Sequence, residues 1–346
     1  MTHHHLVDQW LSGYRVPVDE AAASWLASQR LVGLIPGLLT ARPDLIRSAV
    51  GQHLQATVWL DALNAICQKK DVRLLAFKGL GMALQPQIYT AAVHRPLGDL
   101  DLWVDGDLEA AIQAAEACGY RQLYPHQVIT DYTYDHGYAV PLVHPHAGML
   151  ELHHRLWRDI PLELERDMKA NTRLVGPLHV IEPVHLALAS IVHYTQSGRL
   201  FWGWLLESVL LVRSLPETEQ TRLVHMSRKY GLQSFVAFVL RLACETWPCA
   251  FEPIESLAEA CWNACSRLEQ WAVQRAIHKP SYANRMIMIQ VRRFQRGTGR
   301  SACSPLRLMW PPPGAVMLEL RLEYSPTFWD RLKLMKKRVG QLVTSI

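Results

Sequence analysis

Asp99-Leu100-Asp101-Leu102-Trp103-Val104 alternates carboxylates with apolar side chains, and the reading of this stretch decides the fold. Side chains two apart on a strand share a face, so Asp99 and Asp101 are predicted to project together while Leu100 and Leu102 enter a core. A bare Asp-x-Asp reads most simply as a solvated sheet edge. Two carboxylates on one face repel, however, and divalent cations bound between them remove that cost. The flanking sequence favours the second reading. Upstream, the apolar run 72–77 ends in Phe77-Lys78-Gly79-Leu80-Gly81, and a short helix is predicted to open over 79–84. Strand, glycine turn and helix N-terminus in that order suit an anion. Downstream, Met149-Leu150-Glu151-Leu152-His153 repeats the alternation, placing Glu151 and His153 on one face and offering a third carboxylate from a neighbouring strand.

Further out, apolar residues recur at helical spacing over 21–69, with breaks at Pro36 and Pro43, which predicts two or three helices before the first strand. Residues 85–98, with two prolines, read as a connection. Asp107 is the expected N-cap of an Ala-rich helix over 108–118 that stops at Gly119. Strands are predicted near 121–124, 137–143 and 149–153, giving a mixed sheet with helices on it. Beyond Glu182-Pro183 the period becomes helical, over 184–194, 202–215, 217–230, 232–247 and 254–277. Pro311-Pro312-Pro313-Gly314 reads as a stop before a basic last helix. The expected class is α+β in three segments: a helical preface over 1–70, a sheet-bearing core over 71–182 and a mainly α-helical half over 183–346.

Composition narrows the function. Apolar residues make up 49% and charged residues 19% of the 346, ordinary for a globular protein, and no run approaches the roughly 20 apolar residues of a membrane span. The His-rich, polar N-terminus lacks the layout of a secretory signal, so a cytoplasmic location is expected. His3-His4-His5 reads as an unstructured terminus. The seven cysteines contain no Cys-x-x-Cys pair and read as reduced core thiols, Cys261 and Cys265 included. Net charge is +5; the denser basic stretches 292–300 and 331–338 lack interleaved aromatics and read as solvated helix faces, which disfavours nucleic acid as a partner. His144-Pro145-His146 reads as a solvated turn, and the twelve tryptophans, Trp202, Trp204, Trp247 and Trp262 among them, as core.

Glycine turn, paired carboxylates and a later carboxylate on another strand together resemble the polymerase-β-like nucleotidyltransferases. More closely, the chain is similar to a group of nucleotidyltransferase-family proteins found beside peptide-modification genes, those of some lasso peptides included. The residues carrying this likeness are Lys78-Gly79, Arg95 with Gly98-Asp99-Leu100-Asp101-Leu102 and Val104, Gly119-Tyr120 and Glu151-Leu152-His153. Pro183, His193, Trp204 and the prolines at 311–313 extend it. It departs from the superfamily in having Lys78-Gly79 for the usual Gly-Ser turn and a longer spacing from Gly79 to Asp99, and from the group in having Glu207 where aspartate is frequent.

The resemblance implies that Asp99 and Asp101 bind Mg²⁺ (or Mn²⁺) bridging the triphosphate of an NTP, with Glu151 sharing the second ion or serving as base. Lys78 would approach the phosphates as a point charge, or merely end a strand at the surface. Gly79 would admit close backbone approach, or simply start a helix. Arg95 would pair with phosphate or with Asp99, or make a purely structural ion pair. His153 and His193 would orient substrate or move a proton, the alternative being semi-buried structural histidines. The implied reaction moves an NMP group from an NTP to a hydroxyl or phosphate of a peptide or small-molecule acceptor. Two other readings fit the same features: transfer from another phosphate-linked donor such as a nucleotide sugar, and a non-catalytic partner that binds peptide or nucleotide. The last predicts a broken carboxylate set, whereas here the set is whole.

Overall fold

The computed structural model describes residues 3–14, 18–31, 33–34, 43–89, 91, 94–123, 139–157, 160–197, 201–295 and 327–343. Its centre is a seven-stranded mixed sheet in the order β3-β4-β5-β2-β1-β7-β6. The strands are β1 (Arg73–Ala76), β2 (Leu100–Asp105), β3 (Arg121–Gln122), β4 (Ala139–His144), β5 (Gly148–His153), β6 (Thr172–Val175) and β7 (Leu178–Ile181). The carboxylate strand β2 is interior, antiparallel to β1 and parallel to β5, so the solvated-edge reading of Asp-x-Asp does not hold. Asp99 stands one residue before this strand. The β6–β7 hairpin was not anticipated from sequence, although Gly176-Pro177 marks its turn, and β7 runs parallel to β1.

Alternation along β2 divides two cores. Leu100, Leu102 and Val104 face a cluster with Leu60 and Leu63 of α3 (Pro43–Gln68) and with Ala111 and Ile112 of α5 (Leu108–Ala117). The N-cap of α5 is Asp107, whose side chain accepts from the Glu109 N–H, as its sequence predicts. On the opposite face Leu75, Phe77 and Trp103 join a larger core. That core continues through α7 (Pro183–Gln196), α8 (Trp202–Ser214), α9 (Glu217–Tyr230) and α10 (Gln233–Thr246), and takes in α1 (His3–Leu11) and α2 (Glu20–Ser28). Asp101 lies between Leu100 and Leu102 on this second face, which places the helical half over the carboxylates.

Several sequence expectations need correction. His3-His4-His5 begins a helix rather than a loose terminus, and the His4 ring packs 4.4 Å from that of Trp202. The single helix expected over 254–277 is two, α12 (Glu255–Asn263) and α13 (Arg267–His278), because Ser266 and Glu269 form a reciprocal capping box that starts a new helix. His144 is a buried strand residue rather than part of a solvated turn; its Nδ1 accepts from the His146 and Ala147 N–H groups, closing the β4–β5 hairpin. Arg292, assigned to a solvated face, is buried and donates to the Gly231 carbonyl. Cys261 and Cys265 are buried in the larger core. The stop at Pro311-Pro312-Pro313-Gly314, the break at Pro36 and the rest of the basic stretch, 296–300, lie outside the described residues. Among the described residues no helix is long and apolar enough to cross a membrane.

Candidate active site

Strand register assembles the site. Asp101 pairs with Glu151 and Trp103 with His153 across β2 and β5, and neighbouring strands lie about 4.8 Å apart. Glu151 and His153, two apart on β5, share the face that Asp101 occupies. One ligating atom from each of Asp101, Glu151 and His153 lies within 4.8 Å of the other two. His153 Nε2 is 3.0 Å from Asp101 Oδ1 and 3.2 Å from Glu151 Oε2. Asp101 and His153 are buried, and Glu151 is partly exposed.

Lys78 enters this cluster from the strand-to-helix turn. Its φ of 45° is in the left-handed region, sterically unfavourable for a residue with a Cβ, between β1 and α4 (Lys78–Ala83). The turn delivers Nζ to 2.6 Å from Asp101 Oδ1 and 3.5 Å from Glu151 Oε2. Burial alone would raise the Asp101 pKa, but the Lys78 ammonium and the bond to His153 outweigh it and hold the carboxyl well below the usual range. Asp99 behaves oppositely: burial, then the negative charges of Asp101 and Glu151, raise its pKa above 3.8. It lines the same cleft as Lys78 and Asp101.

Arg95, read as pairing with phosphate or Asp99 or as making a structural ion pair, lines the cleft and pairs with Glu207 of α8, its Nη2 lying 3.1 Å from Oε2. Tyr89 donates to the other oxygen of Glu207 at 2.6 Å, completing a buried triad. Arg95 is also what crowds Gly79, where an added Cβ would stand 2.6 Å from Nη1. The His193 ring lies between Trp157 and Trp204, with centroids 5.6 and 4.8 Å away. Burial, reinforced by the Lys78 charge, lowers its pKa to about 3, so the ring is neutral near pH 7 and a weak proton acceptor.

The structure thus brings Lys78, Gly79, Arg95, Asp99, Asp101 and His193 around one cleft, with Glu151 and His153 in the ion-pair cluster at Asp101. Sequence reasoning missed Arg30, Tyr89 and Trp157, treated Trp204 as core and gave Glu207 no role. No spacing signal connects Arg30 or Tyr89 to β2, because the chain brings them there through separate segments.

The model of an uncharacterised nucleotidyltransferase family matches residues 41–248, more than half of the chain. The chain belongs to this family. It is therefore a transferase of nucleotidyl groups, and the match spans the whole sheet together with α7 to α10. Neither the curated proteins nor the solved structures contain a match to it. The donor set suits a divalent metal, because two carboxylates and an imidazole converge in a nucleotidyltransferase. Among the described residues, Asp101, Glu151 and His153 form a group that could hold such an ion.

Proposed function

We propose that this nucleotidyltransferase moves an NMP group from an NTP to a hydroxyl or phosphate of a peptide or small-molecule acceptor, at the cluster of Asp101, Glu151 and His153. The observation carrying this reading is the convergence of those three ligating atoms within 4.8 Å, next to the Lys78 turn. A divalent cation bound there, Mg²⁺ or Mn²⁺, would supply Lewis-acid stabilisation of charge on the phosphoryl oxygens. Asp99 stands at the cleft as a carboxylate of raised pKa, suited to accept the proton of an acceptor hydroxyl. Lys78 holds Asp101 ionised and brings positive charge to the phosphates. Neutral His193, fixed between two tryptophans, can orient substrate by hydrogen bonding. The NTP as donor rests on the family; the acceptor class rests on the likeness of Lys78-Gly79 and its neighbours to proteins beside peptide-modification genes.

The test is to incubate the full chain with Mg²⁺ or Mn²⁺, each NTP, and candidate peptides and small molecules, and to seek added nucleotide mass by mass spectrometry. Product is expected with the wild type and not with Asp101→Asn. Equal product from both proteins overturns the assignment.

A further inference from the structure

One cation of the cleft comes from outside the family match. Arg30 follows α2 and precedes residues 41–248, yet it lines the same cleft as Lys78, Asp99 and Asp101. Its guanidinium carbon is 4.7 Å from the ring centroid of Phe201 and 5.1 Å from that of Trp204. A guanidinium held against aromatic rings keeps a planar fork of N–H donors, the chemistry that meets phosphate oxygens in pairs. Arg30 is also solvent-exposed.

The backbone fixes this placement. Arg30 has a φ of 60°, in the left-handed region. The Gly203 N–H donates to the Gln29 carbonyl at 2.9 Å, seating the turn on the first residues of α8. A Cβ at position 203 would stand 2.5 Å from the Arg30 carbonyl oxygen and 2.7 Å from that of Gln29, so only glycine permits this approach. This turn is the Schellman-type end of α2, in which the Arg30 N–H donates to the Ala27 carbonyl and the Leu31 N–H to that of Leu26, and its seat on Gly203 places the Arg30 side chain at the carboxylate-lined cleft. All three cations of the cleft act on its carboxylates: Lys78 contacts Asp101, Arg95 contacts Glu207, and the charge of Arg30 favours ionised Asp99.

We propose that Arg30 grips the polyphosphate of the donor nucleotide beside Lys78, delivered by the N-terminal segment and held by Phe201, Trp204 and Gly203. The ligand class is an NTP recognised through its phosphates, and the inference rests on the nucleotidyl-transfer reading given above.

Isothermal titration of the full chain in Mn²⁺ with the four NTPs, inorganic tripolyphosphate and the corresponding nucleosides tests this. Arg30→Ala is expected to weaken NTP and tripolyphosphate binding roughly 10-fold or more and to leave nucleoside binding unchanged. Arg30→Lys is expected to recover only part, since an ammonium lacks the planar fork. Gly203→Ala, with Arg30 retained, is expected to weaken polyphosphate binding in the same direction by displacing the turn. If the wild type binds NTP and tripolyphosphate and Arg30→Ala binds them equally well, the Arg30 proposal fails while the nucleotidyl-transfer reading stands. Equal weakening of nucleoside and polyphosphate would mark a structural role and overturn it as well. Failure of the wild type to bind any NTP would remove the reading on which it rests.

Discussion

Arg95 and Gly79 approach so closely that no methyl group fits between them: a Cβ on Gly79 would stand 2.6 Å from Arg95 Nη1. The guanidinium cannot retreat without leaving Glu207, to which it donates from both Nε and Nη2. Gly79→Ala in an unhindered helix would stabilise by about 0.5–1 kcal/mol. Here the sign is expected to reverse, to a loss of about 1–2 kcal/mol, because the clash strains a buried ion pair. Urea denaturation measures it, and a more stable alanine variant would refute the contact.

The Arg95–Glu207 pair is itself buried, so removing one partner strands a charge. Arg95→Met is expected to cost about 3–5 kcal/mol, and adding Glu207→Met should recover much of that loss. A double-mutant cycle on unfolding free energy gives the coupling; additive losses would mean that the two side chains act independently.

Asp99 is expected to oppose stability. Its folded pKa is raised above 3.8 by burial and by Asp101 and Glu151, so the folded state binds more protons than the unfolded chain within that window. Stability is therefore lost as pH rises through it. Asp99→Asn should unfold at higher temperature than the wild type near about pH 7, with the advantage fading towards about pH 3, and nucleotidyl transfer should be lost. Calorimetric scans at both pH values check the stability, and the mass-spectrometric assay the activity.

His193 has the opposite charge type and a lowered value, about 3 against the ordinary 6.5. Between those values the unfolded chain binds more protons, so the stability that neutral His193 permits is complete above 6.5 and declines as pH falls towards 3. His154, lowered to about 4 by burial and then by Arg155, adds a decline of the same sign. His193→Gln is expected to flatten the wild-type slope in part, measured by urea unfolding at about pH 7 and about pH 5.

An imidazole beside two carboxylates favours a softer ion than an all-oxygen site does. Mn²⁺ is expected to bind more tightly than Mg²⁺, and Asp101→Asn and His153→Ala should each weaken Mn²⁺ binding about 10-fold or more. Electron paramagnetic resonance of free Mn²⁺ reports this without turnover. Unchanged Mn²⁺ affinity in both variants would dissociate the cluster from metal.

The alternation of 99–104 and 149–153 determined the β2 and β5 strands and which of their side chains share a face, because a period of two leaves a strand no other choice. Helical periods beyond Pro183 likewise placed α7 to α10 within a few residues. The Ser266–Glu269 capping box that divides 254–277 is equally legible in the sequence, as Ser-x-x-Glu before a helical run. Tertiary structure alone decided that Asp101 registers with Glu151, that Lys78 reaches Asp101 through a left-handed turn, and that Arg95 serves Glu207 of a distant helix. It also decided that Arg30 reaches the cleft, over a glycine nearly half the chain away. Local periodicity encodes the direction of each side chain relative to its own backbone, whereas the meeting of two charges depends on how separate elements pack, and no neighbouring residue records that.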